Sequence, residues 1–274
     1  MNMMSKKWEV SVVGIILALG GLITSIPFIW MILSSFKTER EALSVPPTLI
    51  PNNVTLQNYI DLFNKLDFDI YLYNTMIIVF FSMIGLLLNT MAGYGFAIYR
   101  FRYKEILFLL VLATLMIPNQ VTMIPTYLLV NTMGLTNTMT GIVLPGLISA
   151  YSLFLIRQFM ATIPMDLIEA ARLDGANEFR IFFNLILPLS KPIISIQMIF
   201  AFIGAWNSFL WPLIIANDDK LYTLSVGMSL LKGQYSTSFA LQMAGATFMV
   251  IPILIIFTIF QRNIVQGFNM TGIK

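Results

Sequence analysis

The sequence predicts an all-α, polytopic membrane protein with six transmembrane helices and one charged helical loop between the fourth and the fifth. Three observations carry that prediction. Of 274 residues, 58% are hydrophobic and only 11% charged, whereas about a quarter of the residues of a soluble domain are charged. Charge-free runs longer than the about 20 residues needed to cross a bilayer recur along the chain. Lysines and arginines also gather at alternate ends of those runs, the asymmetry that orients membrane proteins. The chain reads as a single transmembrane domain over residues 1–274, with a core at 70–265.

The first span is expected at 10–33, inside a run from Val10 to Phe36 without a charge. A cleaved secretory signal would be shorter and would end at a small-residue site, whereas this run continues through Ile29, Trp30 and Met31. Trp8 and Trp30 fit interfacial anchors at its two ends. Residues 37–69 are polar and rich in turn formers, with Pro46, Pro47, Pro51, Asn52 and Asn53. Their five acidic residues outnumber Lys37, Arg40 and Lys65, so the segment is placed outside.

The second span, 74–98, closes on the basic cluster Arg100, Arg102 and Lys104. Near that end Ala92, Gly93, Gly95 and Ala97 would let helices approach closely. The uncharged stretch from Ile106 to Arg157 accommodates spans at 106–130 and 141–159, with an outside turn around Asn131–Thr140. Pro118, Asn119, Gln120 and Pro125 interrupt the third span. Irregular backbone at that depth requires protein or water around it, so a cavity is expected there.

The loop 160–192 is the chain's chief charged segment on the basic side. Pro164 suits a first helical turn, with Asp166 and Glu169 near the positive helix end. Glu169 and Arg172 stand three apart, close enough to pair. Gly175 can adopt the left-handed conformation that ends a helix, and Asn177 can cap the next. On that second helix Phe179, Phe182, Phe183 and Ile186 are spaced to form one apolar face. The last two spans are expected at 193–216 and 241–260, the latter with Ala244, Gly245 and Ala246 as a small-residue face. Residues 217–240 between them are placed outside. Most basic residues then fall inside, with both termini, including the Lys274 tail, in the cytoplasm.

Absent residues narrow the chemistry. Without cysteine or histidine there is no disulfide, thiolate, imidazole base or usual metal ligand. No Gly-Lys pair occurs, which excludes a phosphate-cradling P-loop. No Asp, Glu, Lys or Arg stands in the middle of an expected span, so proton relays and voltage sensors lack their parts. No long basic run points to nucleic acid. Energy for any transport must enter from outside the bilayer, and the 160–192 loop is the feature placed to receive it.

That loop carries a resemblance. Glu169-Ala170-Ala171, three residues, Gly175, nine residues, then Leu185-Ile186-Leu187-Pro188 resembles the EAA loop of ATP-binding-cassette (ABC) importer permeases. Leu185 stands where that family usually has isoleucine. The stretches AWNSFLWPLI, NDDKLYTLSVGM and QRNIVQGFNMTGIK resemble the carbohydrate-uptake, maltose-type branch, and the resemblance covers residues 70–274. It implies that Glu169, Ala170, Ala171, Arg172, Asp174, Gly175 and Ala176 form a coupling helix docked on a cytoplasmic ATPase. It also implies a second homologous permease subunit, two ATPase subunits or a homodimer, and an extracytoplasmic solute-binding protein. ATP and Mg would be bound by the partner ATPases; the chain itself would hold no cofactor and would not be an enzyme. The implied cargo is a sugar or oligosaccharide, delivered across the cell membrane.

The substrate-path candidates are Asn207, Trp206, Trp211, Asn119, Gln120 and Asn89. Each has a plainer reading. Asn207 and Asn89 can pin helices, the tryptophans can anchor at an interface, and Asn119 and Gln120 can satisfy backbone freed by Pro118. Two other functions stay open: an ABC permease for glycerol phosphate, and a self-contained channel or secondary carrier.

Overall fold

The computed structural model describes residues 3–234 and 238–271, and every regular element among them is helical. In chain order these are α1 (Met3–Ser35), α2 (Glu39–Ala42), α3 (Gln57–Lys65), α4 (Phe68–Ile98), α5 (Lys104–Leu115), α6 (Asn119–Thr132), α7 (Met139–Val143) and α8 (Ala150–Met160). Then follow α9 (Met165–Leu173), α10 (Glu178–Ile181), α11 (Leu187–Leu189), α12 (Lys191–Trp206), α13 (Leu210–Ile215), α14 (Leu224–Gln234) and α15 (Phe239–Thr271). Lys274, the side chain of Trp8, and Tyr235–Thr237 of the expected outer loop lie outside the described residues.

Five segments are long and apolar enough to cross a bilayer: Val13–Ser35, Phe68–Ile98, Met139–Met160, Lys191–Ile215 and Phe239–Gln261. The expected third span is instead a broken pair, α5 and α6, bent by 105°. Pro118 is the cause, because it cannot donate a helical hydrogen bond and it disfavours helical backbone at Ile117. Asn119 and Gln120 open α6 rather than interrupt it, and Pro125 is carried inside it. The turn expected around Asn131–Thr140 is present. Gly134 and Asn137 there have φ of 69° and 55°, and the Thr138 hydroxyl caps α7 by accepting from Gly141 N at 3.0 Å.

The chain forms two compact units, one of residues up to Asp67 with Met228–Ile251, the other of Phe68–Gly227 with residues from Pro252 on. In the first unit, α1 keeps its apolar surface uncovered along Val13–Ile29, as a helix in contact with lipid requires. Beyond its end Lys37 is buried. Its ammonium donates to the Thr48 carbonyl and lies 4.8 Å from the centre of the Trp30 ring. The Glu39 carboxylate accepts from Phe239 N at 2.7 Å and Ala240 N at 2.9 Å, satisfying amides at the start of α15 that no earlier turn can reach. Backbone amides of Asn52 and Asn53 and the Thr48 hydroxyl hold the Glu41 carboxyl below its usual range. The polar 37–69 segment is therefore a built structure rather than a slack connection.

In the second unit α4 is central, packed on α8 and on α12. A Cβ added to Gly93 would lie 2.7 Å from Ile156 Cγ2, and one added to Gly85 would lie 2.3 Å from the Leu147 carbonyl oxygen. Gly95, expected to share that role, faces open space. The Ser82 hydroxyl donates to Ala201 O at 3.3 Å on the α12 side. The segment 217–224 is fastened to the start of α4. Asn74 Nδ2 donates to the carbonyls of Lys220 and Tyr222 at 2.7 and 2.9 Å, and Leu224 N donates to Thr75 Oγ1 at 2.9 Å.

Candidate functional site

Two features of the second unit bear on function: the charged loop and a cavity. In the loop, α9 starts one residue later than expected, with Pro164 as its N-cap. Its end is a Schellman closure. Gly175, at φ 80°, donates to Arg172 O and Ala176 N donates to Ala171 O, both at 3.0 Å, so the last carbonyls of the helix are satisfied. Asn177 caps α10 by accepting from Arg180 N at 2.8 Å. On α9, Ile168 is fully buried in the apolar cluster formed with Ile156, Met160, Ile181 and Ile186. Glu169 and Ala170 are exposed, and Ala171 is half-buried. The helix is thus anchored through Ile168, with Ala171 against the same cluster, while Glu169 and Ala170 stay open.

The expected Glu169–Arg172 pair gives way to another. Arg172 Nε donates to Glu178 Oε1 at 2.9 Å. The second Glu178 oxygen accepts from the Tyr99 hydroxyl and, at 3.4 Å, from that of Tyr94. The positive φ at Gly175 reverses the chain, and this brings Glu178 back beside Arg172. These bonds connect the last turn of α9 to the end of α4. Arg172, and then Tyr99, hold the Glu178 carboxyl below the usual carboxylate range. Tyr99 is pushed up by burial and then by Glu178, and the Arg172 guanidinium is strengthened as a cation by the same carboxylate. Lys104 Nζ donates to Tyr99 O at 2.9 Å and Ala97 O at 3.3 Å, favourable for a cation at a helix C-terminus.

The four-residue apolar face expected beyond Asn177 is also revised. Phe182 and Ile186 are buried, but Phe179 is 68% exposed and Phe183 43%. Ile181 enters the core in place of Phe179 and Phe183, and a π-helical turn follows over Phe182–Ile186.

The cavity, of about 880 Å³, is walled by α4, the α5–α6 bend, the chain from α7 into α8, and α12. No charged side chain lines it. Among the path candidates, Asn89, Asn119 and Trp211 line it, whereas Asn207, Trp206 and Gln120 do not. Asn89 is buried, and both the nitrogen and the oxygen of its amide are engaged. Nδ2 donates to Gly85 O at 2.7 Å and Leu147 O at 3.2 Å, and Oδ1 accepts from Ser149 N at 3.0 Å. Trp211 Nε1 donates to Gly141 O at 3.2 Å. Trp206 is buried and stacked on Phe202, with ring centres 5.6 Å apart.

Asn207, expected in the middle of the fifth span, is the exposed C-cap of α12. The helix breaks there because Pro212 cannot donate to the Ser208 carbonyl. That carbonyl accepts from the Thr223 hydroxyl instead, at 2.8 Å. Sequence reasoning passed over Gln197, which lines the cavity from α12. The available signal was a lone carboxamide in an apolar helical run, spaced at four and seven residues from Ala201 and Gly204 on the same face.

A helical chain with five or six candidate spanning segments and an exposed, tethered loop helix defines a multi-pass membrane protein. The chain belongs to the family described as "Binding-protein-dependent transport system inner membrane component", whose model matches residues 85–270. It is 34% identical over 252 residues to the arabinooligosaccharides transport system permease protein AraQ of Bacillus subtilis (strain 168), covering 90% of each chain. It is 31% identical over 253 residues to the lactose transport system permease protein LacG of Rhizobium radiobacter, covering 92% of each. With the sn-glycerol-3-phosphate transport system permease protein UgpE of Brucella abortus (strain 2308) it shares 30% identity over 263 residues, 92% of this chain and 93% of that one. In fold it matches a chain from a crystal structure of a bacterial ABC transporter involved in the import of the acidic polysaccharide alginate. The TM-score is 0.81 at 20% identity, over 96% of this chain and 98% of that one.

Proposed function

We propose that this chain is a permease subunit of an ATP-driven importer for a neutral sugar or oligosaccharide. The carrying observation is α9, exposed at Glu169 and Ala170 and tied through Arg172, Glu178 and Tyr99 to the end of a spanning helix. Such a helix receives a push from outside the bilayer and passes it to α4. In this reading an ATPase subunit docks on Glu169–Ala176, a second homologous permease completes the pathway, and a solute-binding protein meets the outer segment from Asn217 on. ATP and Mg reside in the ATPase subunits. Both termini and the 160–192 loop face the cytoplasm.

The charge-free cavity supports neutral cargo, since an anion taken from water needs a compensating cation. The likeness to UgpE favours glycerol phosphate as a second reading, but the cavity lining offers that anion no lysine or arginine. The test is uptake by the intact transporter, purified through a tag on this chain and reconstituted in vesicles. Lactose or an arabinooligosaccharide should enter in an ATP-dependent manner, with an ATPase copurifying. Gly175→Val forces a β-branched residue to positive φ, a strain of about 1–3 kcal/mol; it should lower sugar uptake while ATP hydrolysis persists. Normal uptake by that variant would contradict the role given to α9.

A further inference from the structure

We propose that Gln197 is a specificity-determining residue that binds the hydroxyl groups of a neutral ligand in the cavity beside α12. The inference rests on the permease reading and adds to it a residue and its chemistry. Gln197 is 1% exposed, and neither its Nε2 nor its Oε1 has a hydrogen-bond partner. It borders the cavity, along with Ser82, Ala201 and Gly204. Asn89 lines the same space with the same functional group, yet its nitrogen and its oxygen are both engaged by backbone of its own helix and of the Leu147–Ser149 turn. One carboxamide is therefore part of the wall, and the other is held in reserve.

A primary amide presents two donors and two acceptor lone pairs, and leaving them unmet in a dry site is costly. A cost of that kind is recovered when a ligand supplies the missing partners. Adjacent hydroxyls do so, because each both donates and accepts, whereas a fully ionised phosphate or carboxylate group can itself only accept and would leave the amide oxygen unmet. The small neighbours Ala201 and Gly204 leave space for the glutamine side chain to turn about its own torsions toward a ligand. Charge-free walls complete the match to a polyol.

The experiment uses the intact transporter, with lactose and arabinotriose as probes. Gln197→Leu preserves bulk and removes every hydrogen bond. Sugar uptake should fall by about tenfold or more in kcat/KM, the scale of a lost ligand hydrogen bond, while assembly and basal ATP hydrolysis stay at wild-type levels and thermal stability is equal to the wild type or higher. Because the chain has no cysteine of its own, Gln197→Cys introduces one thiol on this subunit, followed by mass spectrometry. That thiol should react with a small methanethiosulfonate during turnover, several-fold more slowly when lactose is present. Wild-type-like uptake by Gln197→Leu, a loss of thermal stability accompanying its loss of uptake, or a thiol indifferent to sugar would each overturn the assignment. A wild-type transporter that imports glycerol phosphate and none of the sugars would instead refute the underlying reading, and the assignment with it.

Discussion

Asn89 and Glu178 are small parts whose work is decided by the partners the fold gives them. Asn89 joins α4 to the chain entering α8 through Leu147 and Ser149. Asn89→Leu would leave buried backbone groups unpaired, at about 1–3 kcal/mol. The expected result is a lower melting temperature and poorer assembly of the purified protein, with sugar preference unchanged in whatever assembles; altered selectivity at full stability would count against this role. Glu178 links Arg172 to Tyr99, and Arg172 chiefly depresses its pKa. A carboxyl with a depressed folded pKa contributes its full stabilisation above its unfolded value, about 4.3, and loses it as pH falls through the folded value. Glu178→Gln should therefore melt slightly below the wild type near pH 7, by no more than about 1 kcal/mol for so exposed a pair. That gap should close as the solution is acidified below about pH 4. A gap of constant size across that range would mean that ionised Glu178 is not what ties α9 down.

At the scale of elements, the contact between α4 and α8 depends on missing side chains. Gly93 lies against Ile156, while Gly95, two residues on, meets nothing within 4 Å. Gly93→Val should cost about 1–3 kcal/mol through overpacking, visible as lower thermal stability in detergent. Gly95→Ala in the same helix should leave the melting temperature unchanged or raise it slightly, since the site has room and alanine is the better helix former. A loss from Gly95→Ala as large as that from Gly93→Val would indicate that the α4–α8 contact does not set the cost. The same scale explains the loop. A Schellman closure at Gly175, a cap at Asn177 and a π-turn over Phe182–Ile186 fix the angle at which α9 is presented, and Ile168 seats it in the apolar cluster.

For the whole molecule, orientation is the property to test. The chain lacks cysteine, so single thiols can be placed at exposed positions on the two loops. Asp219→Cys should react with a membrane-impermeant maleimide in intact cells, and Thr162→Cys only after the cells are opened. The reverse pattern would invert the topology and remove α9 from the cytoplasm. What the sequence by itself determined was compositional or local: the apolar runs, the break at Pro118, the helix stop at Gly175, the cap at Asn177, and spans without central charge. Each follows from one residue's backbone chemistry or from a run's transfer energy, and neither requires knowing what lies opposite. Only the tertiary structure decided that Arg172 pairs with Glu178, that Gly93 and not Gly95 meets α8, that Asn207 stands outside the cavity, and that Asn89 is occupied while Gln197 is not. Those outcomes depend on which surfaces meet across tens of residues, as between Asn89 and Leu147, 58 positions apart. A carboxamide has the same hydrogen-bonding capacity wherever it stands, and only the packed neighbours determine how much of it remains for a ligand.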